Sequence, residues 1–177
     1  MNTIDTLLQR NHEFAAHRFV AGLPMRPALQ TIIISCADPR VDPAHLLGLE
    51  PGEAVVLRNI GGRITPGVLE TMLMLGRIAR AEGGIPGGEV HLIVLQHTHC
   101  GITHLNEDPD LLASYFDISK EDLLAKEITD PRAAVAVDVA ALKATPALPG
   151  NWLVSGLVYD TETGLVEVVI PPAPVRP

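Results

Sequence analysis

Two cysteines and one histidine are the residues of this chain whose types and spacing could do metal chemistry. The only cysteines of the sequence are Cys36 and Cys100, and His97 precedes the second of them by three positions. Zinc prefers thiolate and imidazole ligands, and three protein ligands leave the fourth tetrahedral position open. An open position distinguishes a catalytic zinc from a structural one. The sequence therefore predicts a Zn²⁺ enzyme with Cys36, His97 and Cys100 as metal ligands.

These residues follow apolar runs that are typical of buried strands. One run covers residues 31–35, directly before Cys36, and the other covers residues 90–96, directly before His97. In a parallel α/β sheet the carboxyl ends of the strands meet at one edge, where such folds bind ligands. The three residues are therefore expected to meet in space although they are far apart along the chain.

Other arrangements of these residues remain open. His99 could complete a closed Cys₂His₂ site, which would be structural. The two cysteines could also be unrelated buried thiols, or a disulfide in an exported protein. The N-terminus lacks a basic stretch followed by a long apolar segment, so it predicts a cytoplasmic protein. In that compartment thiols bind metal or act in catalysis.

A carboxylate and a guanidinium follow the first predicted ligand closely. Asp38 can accept a hydrogen bond from zinc-bound hydroxide and orient it, while Arg40 can hold Asp38 by a charge-assisted pair. An ordinary surface ion pair is the alternative. If the pair breaks, Asp38 could become a fourth ligand and close the site. Two thiolates offset the zinc charge, so bound water should be less acidic than on a three-histidine zinc, and activity should be highest at alkaline pH.

Apolar runs and capping signals predict the elements that must position these residues. The predicted strands cover residues 31–35, 54–58, 89–96, 152–159 and 165–170. The predicted helices cover residues 2–20, 41–48, 65–82, a short segment after Ser119, and 130–143. Strands that alternate with helices predict an α/β fold with a mostly parallel central sheet, flanking helices and an antiparallel edge strand.

The length of 177 residues predicts one zinc-binding catalytic domain over residues 1–177. Residues 1–22 are predicted to be a helical arm that packs on its own domain or on a partner subunit, and residues 171–177 a loose tail or an interface arm. Helix 65–82 has apolar residues on more than one face, which predicts a well-buried helix. Residues 83–88 are predicted to be a glycine-rich loop, and residues 106–110 a mobile stretch.

Composition restricts the partners. A net charge of −8 argues against nucleic acid or an anionic membrane surface. No run approaches the roughly 18 apolar residues that a membrane span needs. The sequence therefore predicts that neither nucleic acid nor a membrane is a partner.

The ordered motifs resemble those of the β-class carbonic anhydrases. They are Cys36-x-Asp38-x-Arg40, Arg58-Asn59-x-Gly61-Gly62 and His97-x-x-Cys100-Gly101. The resemblance covers roughly residues 25–170, and it implies zinc ligation by both cysteines and His97. It also implies an orienting pair of Asp38 and Arg40, the backbone N–H of Gly101 near the substrate oxygen, and assembly as a homodimer or higher homo-oligomer.

The resemblance implies reversible hydration of carbon dioxide to bicarbonate and a proton by zinc-bound hydroxide, the reaction of a zinc lyase. Some relatives with the same motif are similar instead to carbonyl sulfide or carbon disulfide hydrolases. A third hypothesis is a non-catalytic zinc or thiol switch protein, against which the Asp38–Arg40 pair speaks. Proton export needs a titrating group near the site, and His45, His99 and His104 are candidates.

Overall fold

A single five-stranded sheet forms the centre of the computed structural model, which describes residues 2–83 and 88–176. Its strands are β1 (Thr31–Cys36), β2 (Ala54–Asn59), β3 (His91–His97), β4 (Leu153–Tyr159) and β5 (Val166–Pro174). The order across the sheet is β2-β1-β3-β4-β5. All pairings are parallel except that of β4 with β5. The prediction of a mostly parallel sheet with an antiparallel edge strand is confirmed.

Helices connect the strands, and most of them begin in the same way. The α-helices are α1 (Thr3–His17), α2 (Pro43–Leu46), α3 (Pro66–Ala81), α4 (Pro109–Phe116) and α5 (Pro131–Ala144). Short 3₁₀ helices cover Ile60–Gly62, Gly101–Glu107 and Glu121–Lys126. Helices α2 to α5 each begin with a proline that follows a capping Asp or Thr side chain. Proline is favourable there because the first helical N–H needs no partner within the helix. None of the helices in the described ranges is long and apolar enough to cross a membrane.

Several predicted boundaries differ from the structure. Helix α4 begins at Pro109, within the polar stretch 106–110, and was not predicted. The segment after Ser119 is a 3₁₀ helix, and the Ser119 hydroxyl donates to the Asp122 carboxylate at 2.8 Å. Strand β5 continues to Pro174 and Val175 is 3% exposed, so the prediction of a loose tail from residue 171 is wrong for these residues. The predicted loop at 83–88 lies largely outside the described residues.

The two long helices that follow β2 and β3 differ in how much of their apolar surface is buried. Helix α5 buries Val135, Val139 and Leu142 at 0–4% exposure against the sheet. Helix α3 buries only Val68 and Met72, and its exposed apolar residues are Leu73, Met74 and Ile78. The prediction of a well-buried α3 is therefore wrong for the single chain, because an apolar pattern does not distinguish a core from an interface.

Candidate metal centre

Two neighbouring parallel strands bring the three predicted metal ligands together. Cys36 ends β1 and His97 ends β3, while Cys100 lies in the turn that follows. The donor atoms of the three residues all lie within 4.8 Å of one another. The sulfur atoms of Cys36 and Cys100 are 3.7 Å apart. Within residues 2–83 and 88–176, these three side chains form the one group of at least three His, Cys, Asp or Glu residues that could hold a metal ion.

The hydrogen bonding of His97 leaves one ring nitrogen available. Its Nδ1 lies 2.8 Å from the carbonyl oxygen of Thr98. A carbonyl can only accept, so Nδ1 donates, and Nε2 is the ring nitrogen left for another partner. Nε2 is buried and has no hydrogen-bond partner among the described residues. A histidine that donates one N–H to a backbone carbonyl and aims the other nitrogen at two thiols fits a metal ligand, and the donor set suits zinc.

The two thiols titrate as a pair. The pKa of Cys36 is lowered to about 4, chiefly because the Cys100 thiol donates a hydrogen bond to the Cys36 thiolate, while burial opposes the shift. The same contact, together with burial, raises the pKa of Cys100. The pair therefore loses one proton easily and holds the second, and a bound dication would favour loss of both because it stabilises thiolates.

A glycine turn supports the end of β1. Gly62 has φ of +63°, and a Cβ atom there would lie 2.9 Å from the backbone nitrogen of Cys36. Only a residue without a side chain allows this approach. The turn at Gly61–Gly62 therefore fixes the backbone that presents the Cys36 thiol, which explains the glycines of the motif after Asn59.

Asp38 and Arg40 form the predicted pair. Arg40 Nη2 donates to Asp38 Oδ2 at 2.6 Å, and Arg40 Nε donates to Oδ1 at 3.0 Å. These bonds hold the pKa of Asp38 at about 2, with burial as an opposing effect. Arg40 Nη2 also donates to the carbonyl of His99 at 3.0 Å, which joins the loops that carry the two cysteines. Asp38 is thus ionised and turned towards Arg40 instead of the metal cluster.

Arg58 is an important residue whose role sequence reasoning missed. Its Nε donates to the carbonyl of Cys36 at 2.9 Å, and its Nη2 donates to the carbonyl of Asp38 at 2.6 Å. Nη1 binds the carboxylate of Asp42 at 3.0 Å. A single guanidinium therefore fixes the backbone of the loop that carries Asp38. The feature of the sequence that could have indicated this role is the position of Arg58 near the end of β2, next to β1.

The remaining predicted residues lie around the cluster. Gly101 is exposed and follows Cys100 directly, at the start of the 3₁₀ helix. The His99 side chain is 63% exposed, and its Nδ1 lies 3.2 Å from the Thr161 hydroxyl. His99 is outside the three-residue group, so the closed Cys₂His₂ arrangement is not formed here. His45 and His104 are both exposed.

Comparison with known proteins identifies the family. The family model described as carbonic anhydrase matches residues 31–166, which is more than half of the chain. The chain belongs to the β-carbonic anhydrase family.

The matches to related proteins extend over nearly the whole length of this chain. The β-carbonic anhydrase 1 of Mycobacterium bovis is 27% identical, over 97% of this chain and 100% of its own length. The carbon disulfide hydrolase of an Acidianus species is also 27% identical, over 90% of this chain and 85% of its own. The crystal structure of carbonic anhydrase from Streptococcus mutans matches with a TM-score of 0.73 and 31% identity, covering 96% of this chain and 98% of that one. The resemblance and the enzyme class are thus confirmed.

Proposed function

We propose that this β-carbonic anhydrase homologue is a zinc enzyme that catalyses the reversible hydration of carbon dioxide to bicarbonate and a proton. The observation that carries the proposal is the group of three donor atoms within 4.8 Å of one another. Asp38 lies beside this group on the same loop as Cys36 and is held by Arg40. A structural zinc has no need for such a pair, so its presence supports a catalytic site.

Cys36, His97 and Cys100 would hold the Zn²⁺ ion. Zinc supplies a Lewis acid that makes water a nucleophile near neutral pH. Because two thiolates offset the charge of the ion, we expect this effect to be weaker than with three histidines and activity to rise towards alkaline pH. His97 is already oriented for the task by its bond to the Thr98 carbonyl.

Asp38, Arg40 and Gly101 supply the remaining chemistry. The pKa of Asp38 is about 2, so its carboxylate is an acceptor at every physiological pH and can orient a proton-bearing nucleophile. Arg40 fixes the carboxylate with two N–H groups and keeps it from the metal. The backbone N–H of Gly101 is the proposed donor to the substrate oxygen.

We further propose that the chain works as a homo-oligomer. No residue of α1 is buried, and its outward apolar residues include Ile4, Leu7 and Leu8. The outer face of α3 is also apolar, with Ile78 48% exposed. Contact between copies would bury both surfaces, which monomers rarely expose together. Light scattering during size-exclusion chromatography tests this, and Ile78→Glu should shift the wild-type oligomer towards monomer.

We place the protein in the cytoplasm as part of this proposal. Both cysteines are free thiols, and a reducing compartment keeps thiols available as ligands. Fractionation of the native host tests the compartment, and recovery only from an extracytoplasmic fraction would contradict it.

Stopped-flow measurement of carbon dioxide hydration by the zinc-loaded protein, from neutral to alkaline pH, tests the proposed reaction. We expect turnover that rises with pH. Asp38→Asn should keep its zinc and lose about 10²–10⁴-fold in turnover, the usual range for proton-handling groups. Asp110→Asn is a matched control because Asp110 forms an exposed pair with Lys120 at 2.6 Å. No turnover at full zinc occupancy would contradict the proposal.

Hydrolysis of carbonyl sulfide or carbon disulfide is the second candidate. The similarity to the Acidianus carbon disulfide hydrolase over 90% of this chain favours keeping it. Sulfide release without carbon dioxide hydration would move the assignment to these substrates. Full zinc occupancy without turnover on any of them would favour the switch protein.

A further inference from the structure

A second buried polar cluster lies beside the metal centre. Arg63 is 1% exposed and Asp138 is 0% exposed, and Arg63 Nε donates to Asp138 Oδ2 at 2.7 Å. Gln96 Nε2 donates to the same oxygen at 2.7 Å. Arg63 Nη2 donates to the carbonyl of Lys126. The Phe116 ring packs against the guanidinium, with 5.1 Å between the ring centre and Cζ. The position of the Arg63 side chain is therefore fixed from several sides.

This cluster leaves polar atoms unused. Arg63 Nη1 and Asp138 Oδ1 are buried, and neither has a hydrogen-bond partner within the described parts of the chain. Buried polar groups in folded proteins are nearly always hydrogen-bonded. The Nη1 atom carries two N–H groups of a permanently charged side chain, so a ligand that accepts hydrogen bonds would satisfy it.

A cavity of about 210 Å³ joins this cluster to the metal centre. Arg63 and Gln96 line its buried end, together with His97 and Cys100 of the metal cluster. Thr129 and His99 also line it and are exposed, so the cavity reaches the surface. The volume exceeds the roughly 30 Å³ that one water occupies in the liquid. A ligand of several non-hydrogen atoms therefore fits.

The charges of the lining favour an anion. Arg63 supplies the permanent positive charge, and the described lining residues include no Asp or Glu. Nε and Nη2 of Arg63 are already engaged, so Nη1 is the donor left, and a planar oxygen-bearing anion can accept from it in the plane of the guanidinium. Asp138 already offsets part of the charge of Arg63, so we expect weak binding.

We propose that this cavity is a second binding site for a small planar oxoanion, held by Arg63 next to the metal centre. Bicarbonate has the required size, shape and charge. Its assignment as the natural occupant rests on the proposed function, whereas the anion site itself does not.

Nitrate is the test probe because it is planar, monovalent and chemically inert. Thermal unfolding of the zinc-loaded full-length protein is measured in nitrate and in chloride at equal ionic strength, since a ligand of the folded state raises the unfolding temperature. Ala134→Leu fills the cavity from α5 and leaves Arg63 unchanged, because Ala134 lines the cavity and is 3% exposed. Ala140→Leu on the exposed face of α5 is the matched control.

We expect a nitrate-specific rise in unfolding temperature in the wild type and in Ala140→Leu, reduced by at least half in Ala134→Leu. Because the cavity also borders His97 and Cys100, the position of the ion is determined separately by crystallography. Crystals of the wild type grown in nitrate should show the ion at hydrogen-bond distance from Arg63 Nη1. Equal shifts in all three proteins, or a cavity that holds only water in these crystals, would overturn the proposal. Nitrate at Arg63 without carbon dioxide hydration would refute the proposed function alone.

Discussion

Two buried polar clusters line the same cavity, and they treat their polar atoms differently. In the metal cluster, His97 Nε2 has no partner among the described residues, and the Cys36 thiol has a lowered pKa. In the other, Arg63 Nη1 and Asp138 Oδ1 also lack partners within the described ranges, but the opposite charges of the two side chains are paired at 2.7 Å. The donor atoms of the first cluster suit a metal cation, while the second cluster pairs two opposite charges within the protein and leaves Arg63 Nη1 for a weakly bound anion. The first should therefore determine activity and the second stability.

Removal of a thiol from the metal cluster should have the largest effect of all. In Cys36→Ser we expect loss of zinc and a fall in carbon dioxide hydration of more than about 100-fold, because even residues that only orient a ligand change metal affinity about 10–100-fold. Elemental analysis and stopped-flow rates measure the two quantities. Ser35→Ala is the control on the same strand, since the buried Ser35 hydroxyl has no partner within the described ranges. A Cys36→Ser protein that keeps its zinc and its rate of carbon dioxide hydration would contradict the assignment of activity to the metal cluster.

Removal of the carboxylate from the second cluster should act on stability instead. Asp138→Ala leaves the Arg63 charge buried and unpaired, which typically costs about 3–5 kcal/mol. Urea unfolding measures this, and the folded fraction should retain its zinc. The double variant Arg63→Met, Asp138→Leu should recover most of the loss because it buries no charge. If the double variant is no more stable than Asp138→Ala, a cost of unpaired charge is not the explanation.

The same contrast explains what the sequence could predict. Cys36 and His97 end apolar runs, and the rule that parallel strands end at one edge is enough to bring them together. Arg63 and Asp138 are 75 positions apart, and their contact depends on how α5 packs on the sheet. A signal was present nonetheless: Asp138 lies between Val135 and Val139 on the buried face of α5. A carboxylate at such a position needs a buried partner.

The boundaries that sequence reasoning missed have physical causes as well. Strand β5 contains Pro171, Pro172 and Pro174, which pattern rules place in loops. Its position at the edge of the sheet tolerates them, because an edge strand leaves one row of N–H groups unpaired. Helix α3 has the apolar pattern of a core helix, and no pattern in one chain identifies the surface that covers it. Local patterns therefore predict elements better than they predict contacts between elements.

A variant of Arg40 tests the metal cluster through the ionisation of Asp38. In Arg40→Met, Asp38 loses its bidentate partner, so its pKa should rise from about 2 towards the ordinary 3.8. The freed carboxylate can approach the metal, and we expect turnover to fall about 10–100-fold.

The dependence of the stability of this variant on pH is an independent test of the role of Arg40. A lowered pKa stabilises the folded state above the unfolded value, and that contribution is lost as the pH falls through the folded value. The stability difference between wild type and Arg40→Met should therefore be full above pH 3.8 and shrink as the pH falls towards about 2. Lys120→Met, which breaks the exposed pair with Asp110, should leave turnover unchanged. A difference that does not change over this window would show that Arg40 does not set the ionisation of Asp38.

The smallest effect is expected at the turn between the two clusters. Gly62 in this turn packs against Cys36, and Asn59 exchanges hydrogen bonds of 2.8 and 2.9 Å with the backbone of Arg63. The Tyr115 hydroxyl donates to the Ile60 carbonyl at 2.8 Å, and burial raises its pKa to about 12, so it stays protonated.

Tyr115→Phe should lower the free energy of unfolding by about 1 kcal/mol, the usual net value of one hydrogen bond. Tyr159→Phe is the control, since no hydrogen bond from the Tyr159 hydroxyl is present among the described residues. If the turnover of Tyr115→Phe falls only as much as the fraction of unfolded protein rises, the positions of the two clusters do not depend on each other. A larger fall in turnover at unchanged zinc content would mean that this turn couples the position of Cys36 to that of Arg63. Activity could then not be assigned to one cluster and stability to the other.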